Sequence, residues 1–194
     1  MEQTEKRELV TSGIEIRESE NGTRTLYGYA VKWEMKSETM GYWMRFKEQF
    51  KKGSFTESLT KEDQRALWSH DTSKVLGRTK NGTLRLFEDE IGLRFELDLP
   101  ETTLGNDAYT TIKRGDVDGV SFGFQMQKQE WDESDPDNIT RTIVTAKLME
   151  ISPVAFPAYP DSQVSARSND PYKQYVEERK HRDLRKKLIL KTYL

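Results

Sequence analysis

Ser121 and His70 are the residues whose types could carry out acyl transfer, one as nucleophile and the other as its base. Ser121 lies in Asp118-Gly-Val-Ser-Phe-Gly-Phe124. Read at the two-residue period of a strand, Val120, Phe122 and Phe124 share a core face, and Ser121 points the opposite way between Gly119 and Gly123. Two glycines beside an outward serine clear its hydroxyl and admit another backbone, which suits a nucleophile that receives a peptide. The same glycines would equally serve a bulge or a tight bend. His70 closes the segment ALWSH on the face of Ala66 and Trp68, where a structural role is the plainer reading; yet it is the one histidine outside the C-terminal tail, which holds His181. Glu150 continues an apolar stripe formed by Val144, Ala146 and Leu148. A carboxylate there needs a partner, because burying it alone costs several kcal/mol. An arginine, backbone amides or an imidazole would each serve. Asp71, Asp116 and Asp118 are rivals for the role of orienting a histidine.

Composition removes other chemistries. The 194 residues include no cysteine, so disulfides, thiol nucleophiles, thiolate zinc sites and iron–sulfur clusters are excluded, and two histidines cannot make a multi-histidine metal site. Charged residues reach 33% and hydrophobic ones 34%, a modest core within a heavily solvated shell. The net charge of −2 gives no bulk attraction to nucleic acid or membrane. No apolar run approaches the ~20 residues of a membrane span. The first twenty residues carry no apolar stretch of a secretory signal, so a soluble intracellular protein is expected.

Several elements must position these residues. LYGYAVKW (26–33) reads as a strand, and 53–61 as a short helix with Ser54 as N-cap and Glu57 at capping-box spacing. Strands are expected at 66–70 and 74–79, split at Asp71-Thr72. Asn81-Gly82 then signals a two-residue hairpin into 84–89. After Glu90-Ile91-Gly92, the alternation of Leu93, Phe95, Leu97 and Leu99 with charged residues marks a half-buried strand. Leu104, Ala108 and Ile112, four apart, predict a helix over 102–114 that ends at Gly115. Strands at 118–129 and 140–151 flank the acidic loop WDESDPDN, and 152–161 with its three prolines closes the folded part. The expected class is α+β, mainly an antiparallel β-barrel of short strands wrapped by a few helices, with an appended helical tail. Its division is a flexible N-terminus at 1–13, one domain at 14–161, and a linker and basic tail at 162–194. Residues 172–194 hold eight basic side chains against three acidic ones and read as a helix. A solvated face, a docking handle and a nucleic-acid contact are its three readings, the last weakened by the lack of interleaved stacking aromatics.

Taken together, RALWSHDTSKVLGRT, NGTLRLFEDEIGLRFELDLPETTLG, IKRGDVDGVSFGFQM and LMEISPVAFPAYPDS, preceded by LYGYAVKWE and FKKGSFTESL, resemble the prohead maturation serine proteases of tailed bacteriophages over about residues 14–165. The resemblance implies a fold similar to that of herpesvirus assembly proteases and a serine endopeptidase that needs no cofactor or metal. It would act in the host-cell cytoplasm inside the immature capsid, cutting scaffolding or capsid protein and itself. It makes His70 of LWSHD the base and Ser121 of GVSFGF the nucleophile. The herpesvirus enzymes use a second histidine as third member; here His181 lies in the tail, so Glu150 is the expected one. Arg78, Arg114 or backbone amides are candidates for the oxyanion hole. The implied partner is the major capsid or scaffolding protein; activity delayed until the shell closes would also suit a homo-oligomer. The tail would tether the enzyme to the capsid lattice until a self-cut within 161–172. The alternative is a non-enzymatic assembly or scaffolding module docking through that tail.

Overall fold

The computed structural model describes residues 5–9, 14–41, 44–155 and 171–192. Two strands dominate it: β9 (Gly119–Asp132) and β10 (Thr140–Val154) form a long antiparallel hairpin. On β9's outer side lies β1 (Glu5–Leu9), antiparallel. Beyond β10, β4 (Lys47–Phe50) and then β5 (Arg65–Trp68) pair with it in parallel, and β6 (Asp71–Arg78) pairs antiparallel with β5 to complete a six-stranded sheet. The second sheet has four strands, ordered β2 (Glu15–Glu18), β3 (Arg24–Lys32), β8 (Gly92–Asp98), β7 (Leu84–Glu88). The result is a mixed α+β fold with two sheets and few helices. Among the described residues the strands stay in two sheets and do not close into the expected barrel.

Apolar alternation explains what the sheets enclose. Leu93, Phe95 and Leu97 of β8 are buried beside Leu26, Ala30 and Val31 of β3, and join Phe122 and Phe124 of β9 and Ala146, Leu148 and Ile151 of β10 in one core. Phe50 is central to it, with ring centroids 5.5 Å from Phe55, 5.3 Å from Phe122 and 5.2 Å from Phe124. Each such buried ring contributes about 1.5–3 kcal/mol relative to exposure. α2 (Thr103–Arg114) covers one side with Ala108 and Ile112. The Thr102 side chain caps its start, and Gly115, at φ +80°, ends it in the left-handed conformation that glycine adopts without strain.

Two local expectations fail, for identifiable reasons. α1 (Thr56–Lys61) begins later than expected and Ser54 does not cap it: Glu88 of β7 reaches across instead, accepting from the Phe55 amide at 3.0 Å and from the Thr56 hydroxyl. A neighbouring strand's carboxylate thus does the work assigned to a capping box. Asn81-Gly82 does turn the chain, with Gly82 at φ +77°, but it carries β6 of the larger sheet into β7 of the smaller one, so no hairpin forms there.

One buried charge group ties the hairpin's far end together. Arg141 is 1% exposed; it donates to Glu48 of β4 at 2.6 Å, to Gln129 at 2.6 Å and to both carboxylate oxygens of Glu5 at 2.8 and 2.9 Å. Residues 5–9 therefore belong to the sheet, although 1–13 was expected to be flexible: β9 offers an edge to pair with and Arg141 a cation to meet. Tyr172 and Tyr175 of α3 (Pro171–Thr192) pack on Trp131, and Arg179 pairs with Glu133, so the expected tail helix rests on the same end of the hairpin. Leu184, Leu188 and Ile189 farther along α3 are exposed, and no described helix is long and apolar enough to cross a membrane. Arg141→Ala, which strands the buried Glu48 carboxylate, should destabilise the protein by about 3–5 kcal/mol in urea unfolding.

Candidate active site

The ladder between β9 and β10 decides which side chains meet. Leu148 pairs with Phe124, Glu150 with Gly123, Ile151 with Phe122, and Ser152 with Ser121. Two steps along β10, from Leu148 to Glu150, match a single step along β9, so Met149 is an inserted residue, a β-bulge. Paired residues share a face. Leu148 and Ile151 thus join the phenylalanines in the core, while Glu150 and Ser152 stand on the opposite face with Gly123 and Ser121. Strict alternation would have left Glu150 on the Leu148 stripe, as the sequence suggested; the bulge moves it to the serine's side.

His70 reaches that face through an unusual turn. Trp68 pairs with Asp71, which leaves Ser69 and His70 as a two-residue loop, both with positive φ (50° and 59°). The break expected at Asp71-Thr72 therefore falls two residues earlier. Positive φ at both central positions matches the twist of a tight hairpin, but costs non-glycine residues of order 1–3 kcal/mol each. Contacts to β10 hold the loop: the Ser69 amide donates to Pro153 O at 3.2 Å and the His70 amide to Ser152 Oγ at 3.2 Å. Backbone strain held in place by surrounding contacts is common at functional sites.

The imidazole meets the carboxylate directly. His70 Nδ1 lies 2.7 Å from Glu150 Oε1, with both side chains largely buried. Ser152 Oγ donates to Glu150 Oε2 at 2.6 Å, so both carboxylate oxygens are engaged. A carboxylate accepts only, which assigns the proton to Nδ1 and leaves the lone pair on Nε2, also buried. Ser121 lies one strand over, opposite Ser152, with Cβ atoms of such pairs about 4.5–5.5 Å apart. Gly123 makes the room: a Cβ there would lie 2.8 Å from Glu150 Oε1.

The structure thus brings His70 and Glu150 into contact and places Ser121 on their face. Ser121 differs from expectation in one respect: it faces away from the core yet has no exposed surface (0%). The rival carboxylates are engaged elsewhere or point to solvent. Ser73, through its hydroxyl and amide, and Lys74 hold the Asp71 carboxyl below its usual range. Asp116 pairs with Arg114 at 3.1 Å, and Asp118 is exposed. The candidate oxyanion arginines are occupied too. Arg78, at the end of β6 remote from His70, grips Asp63 and pulls its carboxyl down to about 2, and Arg114 holds Asp116. Sequence reading missed Ser152, whose one signal is its position two residues beyond Glu150. Among the described residues no cluster of imidazoles and carboxylates converges as metal ligands would.

A serine, an imidazole and a carboxylate gathered on one face of a mixed sheet are the parts of a serine hydrolase. The model of the caudovirus prohead serine protease family matches residues 12–175, and the chain belongs to that family of serine peptidases. Its fold is similar to that of the bacteriophage T4 capsid assembly protease, gp21, at a TM-score of 0.55 and 12% identity over 80% of this chain and 98% of that one. No curated protein matches the sequence. The family relation supports a role in capsid maturation.

Gly123→Ala should push the Glu150 carboxylate off His70 while leaving the ladder intact. Peptide cleavage should fall about a hundredfold, as expected for a displacement of order 1 Å at a reacting group. The thermal midpoint should move far less than for a core substitution. Cleavage assays beside thermal melts check both.

Proposed function

We propose that the protein is the capsid-maturation endopeptidase of a tailed phage, with Ser121 as nucleophile, His70 as general base and Glu150 as the orienting carboxylate. The observation that carries this reading is the 2.7 Å contact of His70 Nδ1 with Glu150 Oε1, on the face that holds Ser121. Glu150 fixes the neutral tautomer whose Nε2 accepts a proton and stabilises the imidazolium that results. Ser152 braces the other carboxylate oxygen and, through the His70 amide, the loop that carries the ring. Ser121 Oγ attacks the scissile carbonyl carbon as its proton passes to Nε2. The tetrahedral intermediate collapses as the imidazolium returns that proton to the leaving amine nitrogen. Water then repeats the sequence on the acyl-enzyme and frees the carboxylate product. Backbone amides are the natural oxyanion donors, because Arg78 and Arg114 are tied to aspartates.

The substrates in this reading are capsid or scaffolding segments inside the immature shell in the host cell, and the chain itself. The basic α3 serves as a tether to the inner lattice, released by a cut in the 161–172 linker, of which residues 161–170 lie outside those described. Exposed Leu184, Leu188 and Ile189 suit such a contact. Ser121→Ala and His70→Ala should each fold normally and lower cleavage of a co-expressed capsid precursor by about a thousandfold or more. Glu150→Gln should cost less, as loss of the orienting carboxylate does in such triads. Intact-mass analysis of the precursor decides the matter: normal processing by Ser121→Ala would refute the assignment.

A further inference from the structure

The edge of β9 at Ser121 is already occupied. β1 runs antiparallel along it in unbroken register, with Glu5 opposite Phe124, Glu8 opposite Ser121 and Leu9 opposite Val120. Directly opposed residues in such a ladder have Cα atoms about 4.5–5.5 Å apart. The backbone of Glu8 therefore lies as close to Ser121 as that of an added peptide strand would. A ladder of this kind is how an extended peptide docks on a sheet edge, with main-chain hydrogen bonds supplying affinity and side-chain pockets selectivity.

Something more specific than backbone pairing anchors this segment. Both oxygens of the Glu5 carboxylate meet the guanidinium of Arg141 at 2.8 and 2.9 Å, and that guanidinium is itself buried and already paired with Glu48. A two-oxygen clamp on a largely buried arginine is among the stronger polar contacts available to a side chain. It fixes the segment's register, because a slip by one residue would carry Glu5 to the other side of the strand. Ser121, meanwhile, has no surface exposed to solvent. A substrate carbonyl cannot reach that hydroxyl until something next to it moves. Among the described residues, β1 is the strand on β9's outer side.

We infer that the outer edge of β9 is a peptide-strand site filled by the chain's own Glu5–Leu9 segment, clipped in place by Glu5 on Arg141, and that the enzyme is latent while this strand is docked. The inference rests on the reading of Ser121 as nucleophile. The occupant it names is an extended peptide with a carboxylate three residues before the position facing the serine. A competing segment of that chemistry, or loss of the clip, would open the site. The substitution Glu5→Lys sets two cations against each other at the clip, and Arg7→Pro removes one backbone donor from the middle of the strand.

The experiment uses the full chain and two readouts. Hydrogen exchange reports whether residues 5–9 are docked; the labelling rate of Ser121 by a fluorophosphonate reports whether the hydroxyl is reachable. In the wild type, the amides of 5–9 should exchange slowly and labelling should be slow. In Glu5→Lys and Arg7→Pro, exchange over 5–9 should rise and labelling should accelerate about tenfold or more, in step with the open population. Exchange over 5–9 in the wild type at the rate of free chain overturns the inference. So does an unchanged labelling rate in a variant whose exchange shows β1 released. If β1 is released and Ser121 labels in no protein, the assignment of Ser121 fails first, and latency falls with it.

Discussion

A single inserted residue, Met149, governs the geometry of the site. Without it, β10 would present Glu150 to the phenylalanine core, where a carboxylate with no partner is several kcal/mol out of place. With it, Glu150 and Ser152 turn to the face of Gly123 and Ser121, while Leu148 and Ile151 stay in the core. One strand therefore serves two purposes a residue apart. It packs the hydrophobic centre, and it carries the carboxylate that meets His70. Such bulges re-aim side chains next to active sites because they shift the alternation without breaking the sheet.

The rest of the fold constrains the same few residues from either side. β5 lies in parallel register against Glu150 and Ile151, so the hairpin leaving it turns beside Ser152 and Pro153, just past Glu150 on β10. The left-handed backbone at Ser69 and His70 swings the ring onto that face, and two amides of the loop are held by β10. On the opposite flank, β9 contributes Ser121 and, through a missing Cβ at Gly123, the space Glu150 needs. The family match makes the chain a caudovirus prohead serine peptidase, and its fold is similar to that of a phage capsid assembly protease.

Much of this was legible in the sequence where one period holds without interruption. The β8 alternation and the α2 stripe, with Thr102 and Gly115 at its ends, sit where the pattern placed them. The core face of Val120, Phe122 and Phe124 is equally clear. His70, Ser121 and Glu150 could be singled out by residue type and family resemblance. Their assembly could not, because it depends on departures from periodicity. A bulge has no glycine or proline to announce it at Met149, and the turn at Ser69-His70 uses residues that rarely take positive φ. The closed barrel failed for a related reason: short alternating strands specify a half-buried sheet, but not which edges join. Contacts between distant segments, such as Glu88 on the start of α1 and Glu5 on Arg141, leave no local trace at all.

In the proposed triad, the Glu150 carboxylate meets His70 Nδ1 at 2.7 Å and so sets the tautomer that leaves the lone pair on Nε2 to act as base. With only two histidines in the chain, nitrogen-15 NMR of histidine-labelled protein at alkaline pH tests it directly, His181→Gln assigning the tail signal. His70 should carry its proton on Nδ1, with Nε2 unprotonated, and Glu150→Gln should shift or broaden this pattern while leaving His181 unchanged. A His70 protonated on Nε2, or a tautomer indifferent to Glu150→Gln, would contradict it.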